Sequence, residues 1–172
     1  MTIFKLYFDK DAEEAWINDM SQKGWAFEKF FLGFYTFVPC KPGEYLYQID
    51  LLESWAGDRD YFSNFMEELN IQVVSQWYRW VYLRKKASEG AFEMYTDPES
   101  KIRQYRRLMH FYIAGALLET WCLWLEFTAA IKLMAPTYWL FTLLVALMLL
   151  VFLRMIVKCN RKIQQLKNFP SR

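Results

Sequence analysis

Two kinds of hydrophobic pattern divide the chain. Through residue 96 the apolar positions come in short runs, some alternating and some spaced every four residues. Alternation marks a half-buried strand, and the wider spacing marks one face of a helix. After residue 107 the apolar positions merge into two long runs. The first half reads as a duplicated unit. Ile3 to Phe8 is expected to be a strand with Phe4, Leu6 and Phe8 on one face. Asp9 and Asp11 offer N-caps for a helix over 11–23, with Ala12, Trp16 and Met20 as its apolar stripe. Gly24 suits the left-handed position after that helix. Strands Trp25 to Phe31 and Phe34 to Val38 follow, turning at Leu32-Gly33.

The second copy keeps this order. Tyr45 to Leu52 is a strand with Tyr45, Tyr47, Ile49 and Leu51 on one face. Trp55-Ala56-Gly57 is a loop, and Asp58 caps a helix over 58–69 with Phe62, Phe65 and Leu69 in its stripe. Asn70 takes the place of Gly24. Strands Ile71 to Trp77 and Trp80 to Lys85 close the unit around Tyr78-Arg79. The fold class is therefore α+β: a duplicated β-α-β-β sandwich over 1–96, with helices on one face of one sheet or of two half-sheets.

The long runs predict a transmembrane helical hairpin. A bilayer core takes about 20 mainly apolar residues in a helix. Residues 108–134 and 137–157 each supply that length, and Ala135-Pro136 lies at the turn between them. Residues 97–107 form a basic juxtamembrane helix and 158–172 a basic tail. Lys101, Arg103, Arg106, Arg107, Lys158, Arg161 and Lys162 are the expected contacts to lipid headgroups. Arg154 and Lys167 add to the same side, and the turn carries only Lys132. The positive-inside rule then puts both termini in the cytoplasm of a multi-pass inner-membrane protein. Asp97 and Pro98 are suited to start a helix that runs unbroken into the first span.

Charge sharpens the division. Residues 1–107 hold 14 Lys+Arg and 17 Asp+Glu, and residues 108–172 hold 7 and 2. A mildly acidic first part without a basic face argues against direct nucleic-acid binding. Three cysteines without CxxC spacing, and a single histidine, His110, leave no disulfide framework, metal site or nucleophile–histidine pair to expect. Phosphate loops and hydrolase motifs are missing, so no enzyme and no cofactor is expected. Glu13-Glu14 and Glu67-Glu68 are read as solvated helix surfaces.

Two features remain as candidate chemistry. The first is the aromatic load of residues 1–96, which hold 23 of the 34 aromatics. Trp25, Phe30, Tyr35, Phe37 and Tyr47, with Glu44 as the acid, are candidates for an apolar or cationic ligand site. Glu28, Asp50 and Glu53 are alternative acids. The alternative for the rings is a sheet face packed on itself or on a dimer partner. The second feature is Glu119 and Glu126, seven residues apart on one face of the first span. Protonated, they would bond to Thr120, Thr128 or Thr142, or across a homo-oligomer seam. Otherwise they form a proton or cation site of a small transport component, or dock another membrane protein.

Local stretches carry a resemblance. Gly24-Trp25, Phe34-Tyr35-Thr36-Phe37, Gly43 to Asp50 (GEYLYQID) and Tyr95 to Ile102 (YTDPESKI) resemble an uncharacterised bacterial family with a C-terminal membrane anchor, often encoded beside PadR-type transcriptional regulators. That likeness covers most of residues 1–107. It implies a membrane-attached accessory or sensory protein and supplies no catalytic residues. The order of elements alone is similar to the duplicated ligand-binding domain of the GyrI-like family, which implies a ferredoxin-like sandwich and apolar, drug-like ligands. The expected function is a non-enzymatic regulatory or accessory membrane protein. Its cytoplasmic domain would bind a protein partner or an apolar ligand. The alternatives are a sensor of hydrophobic or cationic molecules and the small transport component.

Overall fold

The computed structural model describes residues 1–52, 59–134 and 136–168. They fall into two compact units, Met1–Thr96 and Asp97–Arg172. The first unit is α+β. Its elements are β1 (Thr2–Phe4), α1 (Lys10–Gln22), β2 (Trp25–Phe31), β3 (Phe34–Pro39), β4 (Tyr45–Leu51), α2 (Arg59–Glu68), β5 (Gln72–Trp77) and β6 (Trp80–Lys86). The strands form two separate three-stranded antiparallel sheets, β1-β3-β2 and β4-β6-β5. Each sheet thus places its third strand between its first and second. Each also has one register shift in an edge strand, between Phe27 and Lys29 in β2 and between Val73 and Ser75 in β5.

Local chemistry explains the element ends. The Asp9 side chain accepts from Asp11 N at 3.1 Å and caps α1. Gly24 and Asn70 both take positive φ, 84° and 58°, and turn the chain after the two helices. The loop Trp55-Ala56-Gly57 and the cap Asp58 lie outside the described residues, as does Glu53. The hairpin turns are tighter and less usual. Leu32 (φ 45°) and Tyr78 (φ 57°) occupy left-handed backbone that favours Gly, Asn and Asp.

Several faces differ from the sequence pattern. β1 is only three residues long, and Phe4, Leu6 and Phe8 point outward. Ile3 and Tyr7, on the opposite face, pack against the core. In α1 the buried positions are Lys10, Glu13, Ile17, Met20 and Ser21, while Ala12 is exposed. In α2 Met66 is buried and Phe62 half-buried, while Phe65 and Leu69 are exposed.

Among the described residues, hydrophobic clusters on both faces of the second sheet build the unit. One joins Ile17 and Met20 of α1 to Phe27, Tyr35 and Phe37 of the first sheet and Tyr47, Ile49 and Tyr82 of the second. The other joins Met66 and Ile71 to Val81, Leu83 and Phe92 on the reverse face of the second sheet. Alternation along β6 feeds both: Tyr82 enters the first cluster, and Val81 and Leu83 enter the second. Full burial of one such side chain is worth roughly 1.5–3 kcal/mol.

The second unit holds α3 (Pro98–Leu133) and α4 (Pro136–Asn168), both long and apolar enough to cross a membrane. Asp97 caps α3, accepting from Ser100 N at 2.7 Å. The Ser100 hydroxyl, with that N–H, holds the Asp97 carboxyl below the usual range. Met134 ends α3 in left-handed backbone, and Ala135 lies outside the described residues. Leu108, Tyr112, Ala116 and Ala130 are buried on α3, with Met155, Cys159 and Ile163 on α4. Gly115 admits the Phe152 ring, and a Cβ there would sit 2.9 Å from it. Residues 158–168, expected as tail, continue α4 as helix.

Candidate functional site

Helix α1 turns a polar stripe toward the strands. Glu14, Asn18 and Ser21 meet the open edge of β4. Asn18 Nδ2 donates to Tyr47 O at 2.9 Å, and Tyr47 N donates to Asn18 Oδ1 at 2.8 Å. Ile49 N donates to Glu14 Oε2 at 2.8 Å, and Ser21 Oγ donates to Tyr45 O at 2.7 Å. Backbone groups on a sheet edge need partners, and here helix side chains supply them.

Glu13, in the same stripe, reaches deeper. Its Oε1 accepts from the Tyr35 hydroxyl at 2.7 Å and from the Tyr82 hydroxyl at 2.6 Å. Tyr35 belongs to the first sheet and Tyr82 to the second, so one carboxylate oxygen ties the two together. The expectation that Glu13-Glu14 form a solvated surface is therefore incorrect: Glu13 is buried and Glu14 is engaged with β4. Burial raises the Glu13 carboxyl above its usual value, with the bonds from Tyr82 and Tyr35 and the Lys10 charge opposing it. Burial and the neighbouring carboxylate also push both tyrosine hydroxyls upward.

Rings wall this carboxylate. Trp16 meets Tyr35 edge-on at 4.9 Å and Phe37 at 5.5 Å between ring centroids. Phe30 lies 4.9 Å from Tyr35 and 5.3 Å from Tyr82, and Phe27 lies 5.1 Å from Tyr82. Tyr7 closes on Trp16 at 5.5 Å. Over that pair sits Lys5, its Nζ 4.7 Å from the Trp16 ring and 4.8 Å from the Tyr7 ring. The ring wall thus already holds a cation on one side and a carboxylate on the other.

The residues singled out from sequence divide as follows. Tyr35, Phe37 and Tyr47 are buried in this cluster, and Trp25 and Phe30 pack half-buried against it. These rings lie on the side of the sheets that packs against Ile17 and Met20 of α1. Glu44 stands apart in a turn, accepting from Lys41 N at 3.0 Å, which lowers its carboxyl. Glu28 is exposed. Asp50 accepts from Tyr95 Oη at 2.6 Å and Leu51 N at 2.8 Å. The acid that sequence reasoning missed is Glu13. Its signal was the spacing Glu13, Ile17, Met20, which puts a carboxylate in the buried stripe.

In the second unit Glu119 and Glu126 are half-buried, on the α3 face that holds Tyr112, Ala116 and Ala130. The threonines proposed to bond them turn to their own helices: Thr120 to Ala116 O, Thr128 to Leu125 O and Thr142 to Tyr138 O. Among the basic residues, Arg103, Arg106, Arg161 and Lys162 are exposed, and Lys101, Arg107 and Lys158 are half-buried. Among the described residues no group of His, Cys, Asp or Glu is arranged to hold a metal.

These features define a class: a small α+β unit with a ring-walled carboxylate, in a chain that also carries two long apolar helices. Residues 9–117 match a family of proteins of unknown function, DUF2812, and the chain belongs to that family. No curated protein and no solved structure matches it.

Proposed function

We propose that the chain is a non-enzymatic, membrane-anchored regulatory or accessory protein whose α+β unit senses an apolar cation at Glu13. The observation that carries this reading is the single carboxylate oxygen shared by tyrosines of both sheets. A cation that reached Glu13 would compete with both hydroxyls and change how the sheets are held together. The rings favour such a ligand through their electron-rich faces, as they already do for Lys5. Entry requires rotation of Trp16 or Phe30, the half-buried members of the wall.

The common strand order of the two sheets supports the likeness to GyrI-like ligand-binding domains. The two long apolar helices support anchoring, and the basic residues flanking them support cytoplasmic termini. The regulatory role follows the resemblance to proteins encoded beside PadR-type regulators.

Tetraphenylphosphonium is a suitable probe, titrated into the full chain in nanodiscs with tryptophan fluorescence as the readout. Saturable quenching is expected, with affinity falling about tenfold or more in Glu13→Gln, equivalent to ~1.4 kcal/mol or more. Equal affinities for the two proteins would refute the assignment, because lipid partitioning of the probe is common to both.

A further inference from the structure

The first sheet leaves its outer face uncovered. The second sheet packs Val81 and Leu83 under Met66 and Phe92, whereas Phe4, Leu6, Phe31, Leu32 and Phe34 on the first are between 49% and 63% exposed. The Phe4 and Phe34 rings lie 5.0 Å apart, and Gly33 fits beneath Phe4 and Leu6. The second hairpin tip adjoins the first. Trp77 and Tyr78 are exposed, and the Trp77 ring lies 5.8 Å from Phe30, one residue before the first tip. Both tips use a large apolar or aromatic residue, Leu32 and Tyr78, at a left-handed position where Asn or Gly is the easy choice. For Leu32 that choice costs stability while its side chain projects outward.

Charge follows the same division. The unit is acidic as a whole, yet residues 1–8, 29–43 and 69–88 contain no Asp or Glu. Beside the tips they carry Lys5, whose backbone N–H donates to Gly33 O, and Lys29 on β2, with Arg79 in the second turn; Lys41, Arg84, Lys85 and Lys86 lie at the far ends of β3 and β6. Glu28, at the bulge of β2, is the nearest acid along the first hairpin. Apolar tips with basic, acid-free flanks complement the interfacial layer of an anionic bilayer, where aromatic rings sit at headgroup level and cations meet lipid phosphates.

We infer that the two hairpin tips, Phe31–Phe34 and Trp77–Tyr78, together with Phe4 and Leu6, dock the α+β unit on an anionic bilayer surface. This rests on the anchoring proposed above, which would keep such a surface within reach of the unit.

The test uses the full chain with Cys40, Cys122 and Cys159 replaced by serine, in nanodiscs of phosphatidylcholine with or without phosphatidylglycerol. An environment-sensitive label at Leu32→Cys is compared with one at Asn64→Cys on α2, and nitroxide lipids serve as quenchers. Strong quenching at position 32, deeper with phosphatidylglycerol and weak at position 64, is expected. Phe31→Ser/Phe34→Ser should reduce docking by about tenfold or more, and Lys29→Glu should reduce it only in the anionic discs. Equal quenching at 32 and 64 would overturn the inference. So would a blue-shifted label at 32 that nitroxide lipids do not quench, which would mean that a second copy covers the tips. Carbonate extraction separates the two readings. A chain that is extracted refutes the anchoring, and added vesicles of the same lipids then decide the tips by the same quenching.

Discussion

The two sheets share a strand order and an antiparallel register, yet they are covered differently. The second is buried on both faces, by the shared aromatic cluster on one side and by Met66 and Phe92 on the other. The first is buried on one face only. The helices differ in parallel. α2 contributes apolar side chains, whereas α1 contributes a polar stripe that seals β4 and joins Tyr35 to Tyr82. The second sheet is thus organised for stability. The first combines α1's buried acid with an open apolar face, and both are features that a purely structural module would avoid.

The largest effect should come from the shared cluster. Phe27 is fully buried and touches Tyr35, Phe37, Tyr47 and Tyr82. Phe27→Ala should destabilise the unit by about 3–5 kcal/mol, and Phe65→Ala on the exposed side of α2 by under ~1 kcal/mol. Hydrogen exchange of β3 and β6 in the intact chain reads both. Loss of protection in β3 alone would mean that the two sheets open independently and do not share one core.

Next comes the buried acid. Glu13→Leu strands two tyrosine hydroxyls and should cost about 2 kcal/mol. The triple change Glu13→Leu/Tyr35→Phe/Tyr82→Phe should recover most of that loss, because donors and acceptor vanish together. Glu13→Gln keeps an acceptor and separates charge from geometry. The Glu13 carboxyl is raised in the folded state, so the folded chain binds the extra proton. Its contribution is then most favourable below the usual value of 4.5 and declines as pH rises through the raised folded value. The difference in stability between wild type and Glu13→Gln should shift over that window in favour of the variant. A pH-independent difference would show that the carboxyl does not titrate in the folded protein.

Much of this architecture is legible in the sequence, for identifiable reasons. Period-two runs and paired turn signals give β2 to β6 within a residue or so, because strand length there is set by side chains that pack on both neighbours. Asp97-Pro98 gives the start of the long helix, because capping is local chemistry. The faces were less legible. Phe4, Leu6 and Phe8 alternate like a buried face, and a pattern rule cannot tell a buried apolar side from an exposed one. Glu13 was hidden for the opposite reason. A carboxylate reads as solvent-facing until the partners that bury it are known, and those partners, Tyr35 and Tyr82, are 22 and 69 residues away.

The smallest effect tests the open face most directly. Leu32 holds a positive φ with its side chain in solvent. An L residue in left-handed backbone carries a penalty of about 1 kcal/mol that Asn largely avoids by local hydrogen bonding. Leu32→Asn should therefore stabilise the β2–β3 hairpin by up to ~1 kcal/mol, visible as slower amide exchange in β3. The same change removes an apolar side chain from the tip, so it should weaken docking on anionic nanodiscs while the fold gains. Opposite signs in the two measurements are what a residue kept for contact outside the fold must give. A destabilised hairpin would instead show that Leu32 packs against its own chain. The first sheet would then be covered after all, and its contrast with the second would disappear.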